Sequence, residues 1–342
     1  MLKMIRGPKS YQDRMQAELD HYSGTVSVHD LPPIMQYWFD KHLVPVLQTF
    51  GFSNSIEMFR TYIARVCRAH PEATCTVLSI GAGDAATELN VAQWLLEQGI
   101  QNFRFECLDF NPGVLDRGRR AAMEKGYSDR FEFAVFDINS WNPVQQYHVV
   151  LAIQCLHHFV DLELLFDKIH QAMQTDGFFL TDDMIGRNGH QRWPEALQLV
   201  EKFWDELPLS YKYNHALKRI EERFENWDCS ISGFEGIRSQ DILPLLIERF
   251  HFDLFFGFGN VVDIFVDRSF GPNFNPERDW DRDFIDRIHA VDVRELESGR
   301  LKPTHIYAAM MKRPSDNPKF YRDRNPEFSL RRPDGRKSSK IL

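Results

Sequence analysis

Two glycines, followed by aspartates and histidines placed where apolar runs end, are the residues of this chain best suited to chemistry. The apolar run 76–80 breaks at Gly81 and Gly83, with Ala82 between them, and a helix-compatible segment follows. Glycine lets the backbone take positive φ and lets a ligand approach where a Cβ would clash. The first N–H groups of the helix behind such a turn are free to bind an anionic or polar group. A second run, 103–108, ends at Asp109 and is followed by Phe110, Asn111 and Pro112, and a third, 131–136, ends at Asp137. A carboxylate at the carboxyl end of a strand is placed to grip a ribose diol. The fourth run, 147–153, leads through Gln154 to the pair His157 and His158, imidazoles able to take up or release a proton near neutral pH.

These groups are useful only if the elements carrying them converge. Between 76 and 183 apolar strands alternate with helical patterns. In the crossover after the fourth strand, Leu162, Leu165, Phe166, Ile169 and Met173 share one helical face, with Asp161 placed as N-cap and Gly177 as stop. That alternation predicts an α/β fold with a parallel sheet covered on both faces. Right-handed crossovers then bring every strand's carboxyl end to one rim, so Gly81, Asp109 and Asp137 line one crevice.

The flanking segments elaborate this core. Helical patterns over 31–50 and 53–70, the second with Ile56, Phe59, Ile63 and Val66 on one face, predict an N-terminal helical cap over 1–72. The core extends over 73–312, with helices expected at 195–207, 214–227 and 240–250 and strands at 252–258 and 305–311. Lid insertions are expected at about 187–238 and 260–303, on the rim where loops shape access. The second insertion holds Phe265, Phe270, Phe274, Trp280 and Phe284 among acidic and basic residues, which suits a packed lid or a homodimer contact. From 313 to 342 the chain reads as a mobile polar tail.

On these residues the segment 76–183 resembles the class I S-adenosylmethionine-dependent methyltransferases, in their small-molecule branch. The resemblance implies a Rossmann-like, seven-stranded, mostly parallel sheet with S-adenosyl-L-methionine as cofactor. Gly81, Ala82 and Gly83 would hold its methionine part and Asp109, followed by Phe110, its ribose. Asp137 and Ile138 would face the adenine, and Gln154 would border the crevice. The stretch 156–159 looks like the Leu-His-His segment of that branch, and 172–182 resembles its helix, turn and fifth strand. The chain departs from the pattern at Ser79, where the family more often has Asp or Glu two residues before the first glycine.

A sulfonium renders its methyl group electrophilic, so the protein chiefly aligns the acceptor, excludes water and removes a proton when the acceptor is a hydroxyl. The candidate catalytic groups are His190, His158, His157 and Asp182, with Asp183 beside them. Arg187 and Arg192 are suited to a polar or anionic acceptor, and Tyr211 and His215 are placed to reach inward from the lid. The implied activity is methyl transfer to a polar small-molecule or glycan-type acceptor, with O-methylation leading. An NAD(P)-dependent oxidoreductase shares the glycine spacing, but it expects an acid about 20 residues after the turn, and Asp109 comes later. A non-catalytic S-adenosylmethionine-binding protein, using its lid for assembly, is the reading from a different functional class.

Composition narrows the partners. A formal net charge of -8 on 342 residues works against binding to phosphate backbones, so no nucleic-acid acceptor is expected. The five cysteines are widely spaced with no Cys-x-x-Cys pair, and read as reduced core residues. Asp182 and Asp183 with His190 imitate an oxygen-rich metal site but lack further spaced carboxylates, so no metal is expected. No apolar run approaches about 20 residues, and the first ten residues lack the apolar core of a signal peptide. The expectation is a cytoplasmic protein without an integral membrane segment.

Overall fold

A computed structural model describes residues 12–16, 31–137, 141–231 and 233–331. The runs read as strands form β1 (Cys75–Ile80), β2 (Phe103–Asp109), β3 (Phe131–Val135), β4 (Tyr147–Ile153) and β5 (Met173–Met184), joined later by β6 (His251–Phe258), β7 (His305–Met311) and β8 (Lys319–Phe320). They make one sheet in the order β8-β6-β7-β5-β4-β1-β2-β3. Strands β1 to β5 are mutually parallel and β7 runs antiparallel between β5 and β6. Strand β4 is apolar at nearly every position because both its faces are covered: Val149 and Leu151 point into one core layer, and Val150 and Ala152 into the other.

The sheet therefore has eight strands, where seven were expected. The additional one, β8, pairs parallel with Leu254 and Phe255 of β6 in the stretch expected to be a mobile tail. Ser315 donates to Asp253, and α11 (Pro326–Ser329) is capped by Asn325, so the chain is held to the core at least that far.

Local signals start the helices that flank the site. The Asn54 side chain accepts from Glu57 N at 2.9 Å and caps α3 (Ser55–Ala69). After α4 (Ala86–Glu97), Asn111 caps α5 (Pro112–Glu124), with Pro112 in the first turn where its missing N–H costs nothing. Asp161 caps α6 (Leu162–Ala172) through Leu164 N at 3.2 Å. That helix ends at Ala172, earlier than Gly177. Gly177 instead lies within β5, where a Cβ would come 2.8 Å from the carbonyl oxygen of His148.

The cap begins with α1 (Pro33–Trp38), passes through a π-helical turn at Phe39–Leu43 and continues as α2 (Val44–Gln48). It packs against α10 (Asp279–Glu297), where Asp286 accepts from Tyr37 and pairs with Lys41 and His42, while Trp38 Nε1 donates to His289 at 3.1 Å. The insertion after β5 contains α7 (Pro194–Glu206), and α8 (Ser239–Arg249) precedes β6. The helix expected over 214–227 is absent. Tyr213–Asn214 pairs instead with Arg219–Ile220, because Asn214 accepts from Leu217 N and donates to Glu221, local bonds that compete with a helix. The 260–303 connection forms α9 (Asp263–Val266) and α10, with Phe265, Phe270, Phe274 and Phe284 buried.

Candidate functional site

Register places the strand ends together. Ile80 lies opposite Leu108 and Ala152, Asp109 opposite Val135, and Ile153 opposite Asp182, so the residues that follow emerge on one edge. Gly81 and Gly83 have φ of 65° and 56°, and a Cβ on Gly81 would strike Cys155 at 2.8 Å. Nothing lies within 4 Å of where a Gly83 Cβ would be, so the turn faces open space. Asp109 accepts from Gly83 N at 2.9 Å and from Asn111 N at 2.8 Å, and burial pushes its pKa up. A glycine turn open on one side, with a carboxylate held at its lip by main-chain donors, fits a cofactor carrying a diol and a charged tail.

Ser79 has a counterpart in space. Its hydroxyl donates to Glu88 in the first turn of α4, at 2.5 Å. Glu88 is buried, and desolvation raises its pKa to about 7. A carboxylate thus lies beneath the glycine turn, contributed by the helix that follows it.

The acid and imidazole groups gather at the ends of β4 and β5. Asp183 is fully buried and accepts from Cys155 N, Leu156 N, Met184 N and, at 2.6 Å, His157 Nδ1. These bonds turn His157 Nε2 toward Glu235, whose carboxylate also meets His158 Nε2 at 3.5 Å and His190 Nε2 at 2.5 Å. Burial pulls the His157 imidazole down, but Asp183 and Glu235 outweigh it and hold it at about 10. Burial pushes Glu235 up, and the histidines around it more than reverse this, leaving it well below the usual carboxylate range. His190 is lowered, chiefly by burial. Cys155 links the cluster to the glycine turn through its contact with Gly81, and His158 is among the groups whose charge bears on Asp109.

Of the expected catalytic residues, His157, His158 and His190 come together. Asp182 does not join them: it accepts from Gln154 Nε2 at 2.7 Å, and desolvation lifts its pKa to about 6. Gln154 follows β4 with φ 50°. Phe110 and Asp137 are half-buried after β2 and β3, whereas Ile138 lies outside the described residues.

The expected acceptor residues are engaged elsewhere. Arg192 is buried and spends its donors on Asn260 O, His190 O and Asp263, so it braces the loop and is not free to clamp an acceptor. Arg187 stacks over Trp193 and donates to Arg192 O. Tyr211 donates to Asp281 at 2.6 Å and His215 meets Asn273, both at the approach to α10. Glu235 carried no local signal in sequence, because its partners His157 and His190 lie 78 and 45 residues away along the chain.

Residues 71–227 match the methyltransferase domain family. Among curated proteins the chain is similar to an iterative polyketide synthase, afoE, of Emericella nidulans, with 32% identity over 116 residues. That match takes in 32% of this chain and spans only 4% of the synthase. Similar solved structures include the O-methyltransferase of a trans-AT polyketide synthase multienzyme of Brevibacillus brevis, in complex with S-adenosyl-L-homocysteine. It is 13% identical, with 90% of each chain covered and a TM-score of 0.46. A geranyl diphosphate C-methyltransferase of Streptomyces coelicolor A3(2) is 11% identical, covering 73% of this chain and 78% of its own, at a TM-score of 0.40. The glycine turn and the strand-end carboxylates lie within the matched residues 71–227, a methyltransferase domain of the S-adenosylmethionine-dependent kind.

Proposed function

We propose that the protein transfers a methyl group to a hydroxyl of a polar small molecule or glycan-type acceptor. The observation that carries this reading is the His157–Glu235–His190 cluster, beside the glycine turn at the strand ends. Bound S-adenosylmethionine supplies an electrophilic methyl group on a cationic sulfur. Gly81, Ala82 and Gly83 offer main-chain groups to its amino-acid end, and Asp109 has lone pairs left for the ribose hydroxyls. Asp137 borders the adenine position. Gln154 closes the rim, held by Asp182.

On the acceptor side, the imidazoles and Glu235 orient the hydroxyl and provide for the loss of its proton. A hydroxyl needs such help, because its own pKa leaves it protonated at neutral pH. The cluster suits an acceptor that must lose a proton, and a hydroxyl is the leading one. Among the described residues no helix is long and apolar enough to cross a membrane. The free cysteines suit a reducing compartment such as the cytoplasm.

The test is turnover on a panel of hydroxylated small molecules, compared with His190→Ala. That variant is expected to bind S-adenosylhomocysteine as the wild type does and to lose about 10²–10⁴ in rate. Full activity in a folded His190→Ala protein would remove the cluster from the reaction.

A further inference from the structure

We propose that His157 Nε2, His190 Nε2 and the Glu235 carboxylate form a site for one divalent transition-metal ion of the zinc type, with a coordination position open to the acceptor. The three ligand atoms lie within 4.8 Å of one another. An ion about 2.1 Å from each ligand in tetrahedral geometry needs ligand atoms about 3.4 Å apart. The His157–Glu235 separation is already 3.5 Å, and the 2.5 Å His190–Glu235 contact has only to open by a modest side-chain rotation.

The surroundings have the form that a metal-bound imidazole uses. Asp183 accepts from His157 Nδ1 at 2.6 Å, so an ion that displaces the Nε2 proton finds that nitrogen's lone pair directed at Glu235. Asp183 and Glu235 bring two carboxylates into a largely buried setting, and a divalent ion among neutral imidazoles balances them. Two imidazoles and one carboxylate suit zinc, iron or cobalt, where magnesium and calcium prefer oxygen ligands throughout.

The backbone holds the three ligands in place from different parts of the chain. Gly189 N donates to Gly236 O at 2.8 Å and Ile237 N to His157 O at 3.1 Å, so all three ligand-bearing segments are cross-tied. His190 sits at φ 55°, a left-handed conformation costly for a side chain with a Cβ and one that recurs at functional sites. Sequence spacing predicted no metal, because the ligands are 33 and 45 residues apart and one is not a Cys or His.

The role of the open position rests on the proposed methylation of an acceptor hydroxyl there; ion binding itself does not. An acceptor oxygen in that position would lose its proton more readily than in water. The experiment is isothermal titration of chelator-treated full-length protein with Zn²⁺, together with the visible spectrum of the Co²⁺-loaded form. One ion per chain is expected, with a tetrahedral cobalt spectrum. His190→Ala and Glu235→Gln should each weaken affinity at least tenfold, Asp183→Asn by about 10–100-fold, and the exposed His251→Ala not at all. Circular dichroism confirms that the variants are folded. Absence of saturable binding in the wild type, or binding unchanged in both His190→Ala and Glu235→Gln, overturns the site. If Zn²⁺ binds as expected but no acceptor is methylated, the metal site stands and the proposed activity falls. If methylation proceeds in protein that binds no Zn²⁺, the reverse holds.

Discussion

Glu88 and Asp109 show how single carboxylates are placed under opposing demands. Glu88 has an ordinary pKa of 4.5 when unfolded and about 7 in the native protein, because burial disfavours its charge. Below 4.5 it is neutral in both states, and as pH rises through about 7 the native state must ionise a buried group, so stability is lost across that window. The loss is on the order of 3 kcal/mol. Glu88→Gln keeps an acceptor for Ser79 and removes the charge. It is expected to raise the melting temperature at pH 8 and to leave it nearly unchanged at pH 4, and equal shifts at both pH values would contradict this account. Asp109 is tied to Gly83 N and Asn111 N and so is ready for a ligand without reorganising. Asp109→Ala should weaken S-adenosylhomocysteine binding by at least tenfold in calorimetry while the protein remains folded. Unchanged affinity would move the ribose site elsewhere.

Among elements, the turn at 188–190 carries His190 of the proposed acceptor side. Gly189 has φ 64°, and a Cβ there would fall 1.9 Å from Asp228 Oδ1. Gly189→Ala therefore cannot be accommodated without moving either this turn or the 228–236 loop. The expected result is methyl transfer reduced by at least tenfold with cofactor affinity preserved, since Gly81 and Asp109 lie on other elements. A parallel loss of both would mean that the turn supports the whole rim. The same two loops were legible in sequence only as polar, glycine-containing connections, because their pairing depends on residues far apart along the chain.

At the scale of the molecule, an open crevice at the strand ends predicts which ligands stabilise the fold. S-adenosylhomocysteine binds only the native state and should raise apparent stability by about 2.7 kcal/mol at a hundredfold excess over its dissociation constant, whereas NAD and NADP should leave it unchanged. Stabilisation by a nicotinamide cofactor alone would favour the oxidoreductase reading. The cap, docked on α10 through Asp286 and Trp38, ties the N-terminal segment to the insertion that precedes β7, so ligand and cap stability are expected to report on one cooperative unit.

The sequence by itself determined the core. Buried parallel strands write their own apolar runs, glycines mark a turn that must take positive φ, and Asn and Asp mark helix starts, so β1 to β5, the glycine turn and the strand-end position of Asp109 were all readable from local signals. Gly177, the absent helix at 214–227 and the added strand β8 were not, because each is decided by which neighbour a polar group finds after folding. The acceptor side followed the same rule. His157, His158 and His190 were visible as residue types, yet only the tertiary structure set Asp183 behind His157, brought in Glu235 and withdrew Arg192 to Asp263. A hydrogen bond or an ion pair acts over a few ångströms, and where its partners lie tens of residues apart, the folded chain alone decides which of them meet.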